Sequence, residues 1–446
     1  MTADRAEVVR YVADAVVTCD GNGRMFRPGV VDVAGDTIVR VGPGGGVGRA
    51  GPDVDPTPEI RLHGVLLPGM VNVHCHSPMT LFRGTGANLP VLRWLHEVLW
   101  PREARLVPED VFWGMTLAAA ELLRFGVTTS CEMYFFEDAI ADAMLAAGSR
   151  AVITPGVLQL PGHEYGEGWW SKRLGEVADF YARRHGDGGR IEVGFGPHAV
   201  YTVPMPVLAD IAGVARELGA LFHIHVAETE SEVTEFAAEH GHSIPAALAE
   251  VGVLDGRVLA AHGVWLSDDD IELYRRYDVA VAHCPQSNGK LASGLAPLVA
   301  LLSHGIRVGL GTDGPASNND LDLWEEMRLA ALFARIRSGD AGALSAATAL
   351  ELATRGGAAA LGRPDLGVLA PGAQADMVLV DMDDPAFVPL HDDAQLMEHL
   401  VWSASSRLVT DVWVAGRQVV GAGRCLTVDV DEARRQVDQR ARRLMG

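Results

Sequence analysis

His74 and His76 stand two residues apart at the end of the apolar run GVLLPGMVNVH, and His223 and His225 repeat that spacing in LFHIHVAE. In a strand the period of two turns both imidazoles of such a pair to one face. Asp313 ends a third run, RVGLGTD. Two histidines from one strand, one from another and a carboxylate from a third form a nitrogen and oxygen donor set suited to Zn²⁺ or Fe²⁺, with a water as remaining ligand. A lone His-x-His carries little weight, because buried and surface histidines produce it often. Its weight comes from His225, Glu228, His262 and Asp313, each at or just beyond the end of a predicted strand.

Glu228 follows His225 by three residues, close enough to shuttle protons at the metal, although a carboxylate at a helix N-terminus would look the same in sequence. His262, ending VLAAH, fits a site histidine and a core histidine alike. The run RIEVGFGPH offers no lysine that could bridge two ions after modification, so a mononuclear site is expected, one ion per subunit. His198, at the end of that run, is left for substrate or for a structural role.

These residues need strands to carry them. From 66 to 364 apolar runs alternate with helix-length segments: GVLLPGMVNVH, GVTTSCEMY, AVITPGV, RIEVGFGPH, LFHIHVAE, VLAAHGV, VAVAHCP and RVGLGTD. Eight such runs predict an α/β fold, a (β/α)8 TIM barrel whose active site lies at the C-terminal ends of its strands. PEDVFWGMTLAAAELLRFG, with helical apolar spacing and a closing glycine, is one of the intervening helices. Residues 1–65 and 365–446 have β texture and are expected to pair into a small β-sandwich domain beside the barrel, with DEARRQVDQRARRLM as a terminal amphipathic helix. The glycines from Gly42 to Gly48 have no following Lys-Ser/Thr and open no helix, which makes them a turn rather than a phosphate loop.

A chain of 446 residues with 48% hydrophobic and 21% charged residues reads as an ordinary globular protein with a sizeable core. Its formal charge of −21 argues against nucleic acid as a partner. No run of membrane-spanning length and no signal-peptide pattern at MTADRAEVVR is evident, so a cytoplasmic protein without membrane contact is expected. Five scattered cysteines without a C-x-x-C pair indicate neither a disulfide framework nor a thiolate zinc knot.

PGMVNVHCHSPMTLFRG, GFGPH, HIHVAET, AHGVWL, HCPQSNGKLASGLAP and GTDGPASNNDLDLWEEMRLA occur in that order over nearly the whole chain. In these motifs the sequence resembles the amidohydrolase superfamily, in particular its cytosine-deaminase-like branch with the methylthioadenosine/S-adenosylhomocysteine deaminases. The resemblance implies metal ligation by His74, His76, His225 and Asp313, and so selects His225 over His223. It implies substrate contacts from Glu103, on ribose hydroxyls, from Trp94 as a pocket wall, from His198 and from Glu228. Read alone, Glu103 is a surface charge and Trp94 a core aromatic. Arg173 aligns weakly with a carboxylate-binding arginine. Pro155, in ITPGV, stands where relatives that accept homocysteine place an arginine, and proline supplies neither charge nor donor. Segment 157–171 looks particular to this chain and could reshape that end of the pocket.

The activity so implied is hydrolytic deamination of an adenine nucleoside of the methylthioadenosine, S-adenosylhomocysteine, adenosine or 5′-deoxyadenosine type. Zn²⁺ would bring the pKa of a bound water from about 15.7 towards about 7. Asp313 would take the water's proton, His262 orient the hydroxide, and Glu228 protonate the purine and then the departing ammonia. Guanine, 8-oxoguanine or aminofutalosine deaminases and triazine chlorohydrolases of the same branch are the enzymatic alternatives, and a non-catalytic scaffold the remote one. A homo-oligomer is expected from the resemblance alone.

Overall fold

The computed structural model describes residues 7–44, 57–86, 88–160 and 165–446. Of the turn expected at Gly42 to Gly48, residues 45–48 lie outside the described residues. So do residues 161–164 of segment 157–171, and residues 1–6 of the first terminal segment.

The apolar runs read from the sequence are strands, and nearly all their residues are buried: Met70–Cys75, Val127–Glu132, Arg150–Ile153, Ile191–Val193, Leu221–Val226, Arg257–His262, Ala280–His283 and Val308–Leu310. Strands covered on both faces need such continuous apolar character. The first four form one parallel sheet and the last four another. Single parallel bridges, Phe195 to Phe222 and Cys75 to Asp313, link the two sheets at both edges, a pattern that fits a (β/α)8 barrel. Val71, Val73, Cys131, Val152, Leu221, Leu259, Ala261, Ala280 and Ala282 pack together in one apolar cluster drawn from six of these strands.

The run GVLLPGMVNVH divides at Gly69. Glu59–Pro68 belongs to a different sheet, while Met70 starts the first parallel strand. A Cβ on Gly69 would lie 2.2 Å from Thr128 Oγ1, so the crossing point admits no side chain. The other sheet has nine strands among the described residues and joins both ends of the chain: Glu59–Pro68 pairs in parallel with Val8–Val17 and antiparallel with Met377–Val380. It has its own apolar core, in which Tyr11, Val31, Ile38, Leu66, Met377 and Trp413 are buried together. The terminal helix Val430–Met445 sends Arg440 and Arg443 to Asp110 in the first turn of helix Pro108–Arg124. No described helix is long and apolar enough to cross a membrane.

Candidate metal centre and substrate cleft

The strict alternation expected around His74 and His76 is broken by a register shift between Asn72 and Cys75. Both imidazoles nevertheless reach one carboxylate oxygen. Nε2 of His74 lies 3.5 Å and Nε2 of His76 3.2 Å from Asp313 Oδ1, and Nε2 of His76 lies 3.3 Å from Nε2 of His225. Four donors at 2.0–2.1 Å from a tetrahedral ion stand about 3.3 Å apart. These spacings therefore suit a divalent metal ion.

The outward nitrogens of the three rings are all engaged. His76 Nδ1 donates to the carbonyl of Met133, and His225 Nδ1 to that of His198 at 2.8 Å. His74 is fixed through a chain: Thr154 Oγ1 donates to the Glu132 carbonyl (3.2 Å) and accepts from His223 Nδ1 (3.0 Å). His223 Nε2 must then accept from His74 Nδ1 at 2.9 Å, which leaves His74 Nε2 bare, buried and without a hydrogen-bond partner. Such outer partners orient metal-binding imidazoles and set their tautomer. Burial pushes His74 down to about 3, only partly offset by Asp313, and pushes His225 well below its ordinary range together with the neighbouring imidazoles. Both present neutral lone pairs. Burial opposes charge on Asp313 and His76 too, but His74 and His76 together hold Asp313 low, and Asp313 holds His76 high. A cation would compete with the proton on His76.

Asp313 Oδ2 accepts from Ser287 Oγ at 2.6 Å and Ser317 Oγ at 2.7 Å. His262 Nδ1 lies 2.8 Å from Asn288 Oδ1, and its Nε2 lies 3.9 Å from Glu228 Oε2. His262, Asp313 and Ala227 all adopt left-handed backbone, with φ of 72°, 59° and 54°. Such strain in residues other than glycine gathers where surrounding structure must aim a side chain. Burial, opposed by His262, raises the Glu228 carboxyl above its ordinary value.

A cleft enclosing about 640 Å³ of space, open solvent included, lies over these groups. Glu228, His262, Asp313, His198, Trp94 and Glu103 all line it. Trp94 is 5% exposed. Glu103 accepts from Tyr134 Oη at 2.7 Å, and burial lifts its carboxyl to about 7 against that bond and against His76. His198 is half-buried, with Nδ1 3.0 Å from Thr202 Oγ1; burial and His76 push it down to about 3. Arg173 does not line this cleft. It lines the adjoining cavity, which shares Glu103, Phe135, Gly156 and Leu158 with the cleft, and its guanidinium is taken up by Glu137.

Sequence reasoning had no role for Tyr134, Thr154, Ser287, Asn288 or Ser317, and assigned none to His223 once His225 was chosen. Ser287, Asn288 and Ser317 do lie in the quoted motifs HCPQSNGK and GPASNND, and Tyr134 ends the run GVTTSCEMY. Strand-end position was the available signal.

Parallel strands with a His₃Asp cluster at one end and a buried acid beside it make up a metal-dependent hydrolase. The chain belongs to the amidohydrolase family, whose model matches residues 65–419. It is 42% identical over 435 residues to a 5-methylthioadenosine/S-adenosylhomocysteine deaminase of Pelotomaculum thermopropionicum, covering 97% of each chain. It is 40% identical over 374 residues to a 5′-deoxyadenosine deaminase of Methanopyrus kandleri, covering 84% of this chain and 85% of the relative. The crystal structure of an adenosine deaminase from Xanthomonas campestris with bound zinc is similar at a TM-score of 0.90, with 36% identity and 98% of each chain covered.

Proposed function

We propose that this chain is a zinc-dependent hydrolytic deaminase that converts an adenine nucleoside, of the methylthioadenosine, S-adenosylhomocysteine, adenosine or 5′-deoxyadenosine type, to the inosine analogue and ammonia. The observation that carries the reading is the approach of His74 and His76 Nε2 to Asp313 Oδ1, with His225 Nε2 against that of His76 and with Glu228 and His262 lining the same cleft, which extends to Glu103. The names of the relatives support the substrate class. His74, His76, His225 and Asp313 hold the ion in this reading. The parallel strands from Met70 onward close as a (β/α)8 barrel in this reading, ending near residue 364, and the described residues before Gly69 and after 364 build the small β domain as a sandwich. All five cysteines are free, which suits the reducing cytoplasm.

Bound Zn²⁺ supplies acidity to a water and an electrostatic sink for the charge that develops in attack. Asp313 takes a proton from the attacking water, its Oδ2 held by Ser287 and Ser317 so that Oδ1 faces the reaction. His262, fixed by Asn288, orients the nucleophile towards purine C6. Glu228, enclosed and with its carboxyl raised above the ordinary range, delivers its proton to N1, takes up the proton of the C6 hydroxyl as the carbonyl forms and passes it to the leaving amine, and is recharged by the proton held on Asp313. Glu103 accepts from the ribose hydroxyls, and Trp94 and His198 wall the nucleoside.

The test is ammonia release from adenosine, 5′-deoxyadenosine, methylthioadenosine, S-adenosylhomocysteine and guanine by zinc-loaded protein. Deamination of the nucleosides and not of guanine is expected. Glu228→Gln at full metal occupancy should lower kcat by about 10² to 10⁴. Near-normal turnover in that variant, or full activity after chelation, would refute the assignment.

A further inference from the structure

The metal cleft has a neighbour on the side away from Glu103. Val91, Tyr201 and Glu228 line both the cleft and a groove of about 880 Å³ that follows helix Glu230–His240. The cavity beside Arg173 shares no lining residue with this groove, so the cleft has two separate neighbours. Glu232, Glu235 and Glu239 line the groove at spacings of three and four residues, as neighbours on one helical face do, and Glu228 lines it just before the helix. No lysine or arginine lines it among the described residues.

At the inner end Glu232 is 9% exposed. Its Oε2 accepts the backbone N–H of Glu228 at 2.8 Å, while its Oε1 is enclosed and has no hydrogen-bond partner. Burial and the neighbouring Glu228 lift the Glu232 carboxyl to about 7, and a ligand that brings N–H groups and positive charge favours its ionised form. Glu235 and Glu239 continue the acidic face to the exposed surface.

If the site is a deaminase, the amino group departs beside Glu228, and free ammonia takes up a proton from water at neutral pH. The product is ammonium, a small cation with four N–H donors. We propose that the groove is the outlet and binding site for this ammonium, which leaves past Val91 and Tyr201 to Glu232 and then along Glu235 and Glu239. The nucleoside uses the other side, past Glu103 and Leu158. This inference rests on the deaminase reading and adds to it that the two products have different exits.

Two measurements test it. Crystals of the zinc-loaded enzyme soaked in rubidium chloride, a cation close to ammonium in size, should show an anomalous peak beside Glu232 Oε1. In steady-state assays at constant ionic strength, ammonium chloride should inhibit non-competitively against nucleoside. The Glu235→Lys/Glu239→Lys variant should raise its inhibition constant at least about fivefold. Asp210→Lys/Glu217→Lys, on an exposed part of another helix, serves as the charge control and should leave that constant unmoved. No rubidium in the groove, purely competitive inhibition, or equal ammonium constants in all three proteins would overturn the outlet. If no nucleoside releases ammonia, the deaminase reading falls and the outlet with it; ammonia release with an unmoved constant removes the outlet alone.

Discussion

Tyr134 Oη, in the cleft wall, donates a 2.7 Å hydrogen bond to Oε1 of Glu103, which lines both the cleft and its side cavity. Burial lifts Glu103 to about 7, and this bond works against the lift. Glu103 therefore ionises as pH rises through about 7, and KM for a nucleoside whose hydroxyls donate to it should fall over the same interval. Tyr134→Phe removes a lowering influence, so the inflection should move to higher pH. A KM profile unchanged in Tyr134→Phe would separate Glu103 from ribose binding. Stability has the opposite slope. The folded pKa lies above the ordinary carboxylate value, so ionisation costs folding free energy as pH rises from about 4.5 through about 7, up to ~3 kcal/mol for a shift of this size. Glu103→Gln should therefore gain stability relative to wild type as pH increases, seen in denaturant midpoints at pH 5 and pH 8.

His223 should matter for metal affinity although it holds no ion itself. It accepts from His74 Nδ1 and is fixed in turn by Thr154. His223→Phe should weaken zinc binding by about 10- to 100-fold, measured by competition with a chromogenic chelator. His223→Gln, whose amide oxygen can still accept, should lose less. Equal affinity in wild type and His223→Phe would show that His74 needs no such anchor.

Arg173 forks onto Glu137 at 2.9 and 3.2 Å and gives its remaining donors to the Gly156 carbonyl and Glu176. The side cavity, also lined by Asp138 and Glu176, thus offers an incoming carboxylate several acids and a single cation, already engaged, among its described lining residues. Nucleosides carrying a 5′ carboxylate should have kcat/KM at least about tenfold below neutral 5′-methylthio analogues, since like charges repel in a confined site. Glu137→Gln should narrow that ratio. Comparable kcat/KM for the two substrate classes would mean that the 5′ end does not meet this cavity.

Arg150 and Asp376 tie the parallel strands to the C-terminal segment through a buried ion pair with each side chain 2% exposed. Arg150 also donates to Gln374 and Gly189, and Asp376 accepts the backbone N–H of Ala415. Asp376→Ala should cost about 3–5 kcal/mol, because it leaves a buried charge without its partner. Replacing both residues by apolar ones, as in Arg150→Met/Asp376→Leu, should recover most of that loss in urea unfolding. If the single variant unfolds at the wild-type midpoint, the pair contributes nothing to holding the two sheets together.

Much of this arrangement was readable in one dimension. Each parallel strand is a short apolar run, and His74, His225, His262 and Asp313 announce themselves as polar residues at or just past the end of such runs. Continuous apolar character comes from burial on both faces and leaves a local trace. Pairings across the fold leave none. Tyr134 meets Glu103 across 31 residues, and Arg173 meets Glu137 across 36, through contacts that tertiary packing alone decides. The break at Gly69 was hidden for a similar reason: the runs on either side are equally apolar, and only Thr128 packed against the glycine shows where one sheet ends. His223 and His225 look alike in sequence, and the difference between them lies in their hydrogen bonds, His223 to Thr154 and His74, His225 to the His198 carbonyl.

The parallel bridge between Cys75 and Asp313 joins segments 238 residues apart and brings His74 and His76 to their carboxylate. Closing so long a loop adds only ~0.6 kcal/mol for each doubling of length, so the seam is affordable in free energy. In time it is another matter, because contacts this distant in the chain form slowly, once the strands between them have paired. The proposed donor set therefore depends on the pairing between the parallel strands most distant from each other in the chain. Without that bridge His74 and His76 would lose their position against Asp313, whatever the state of the strands between them.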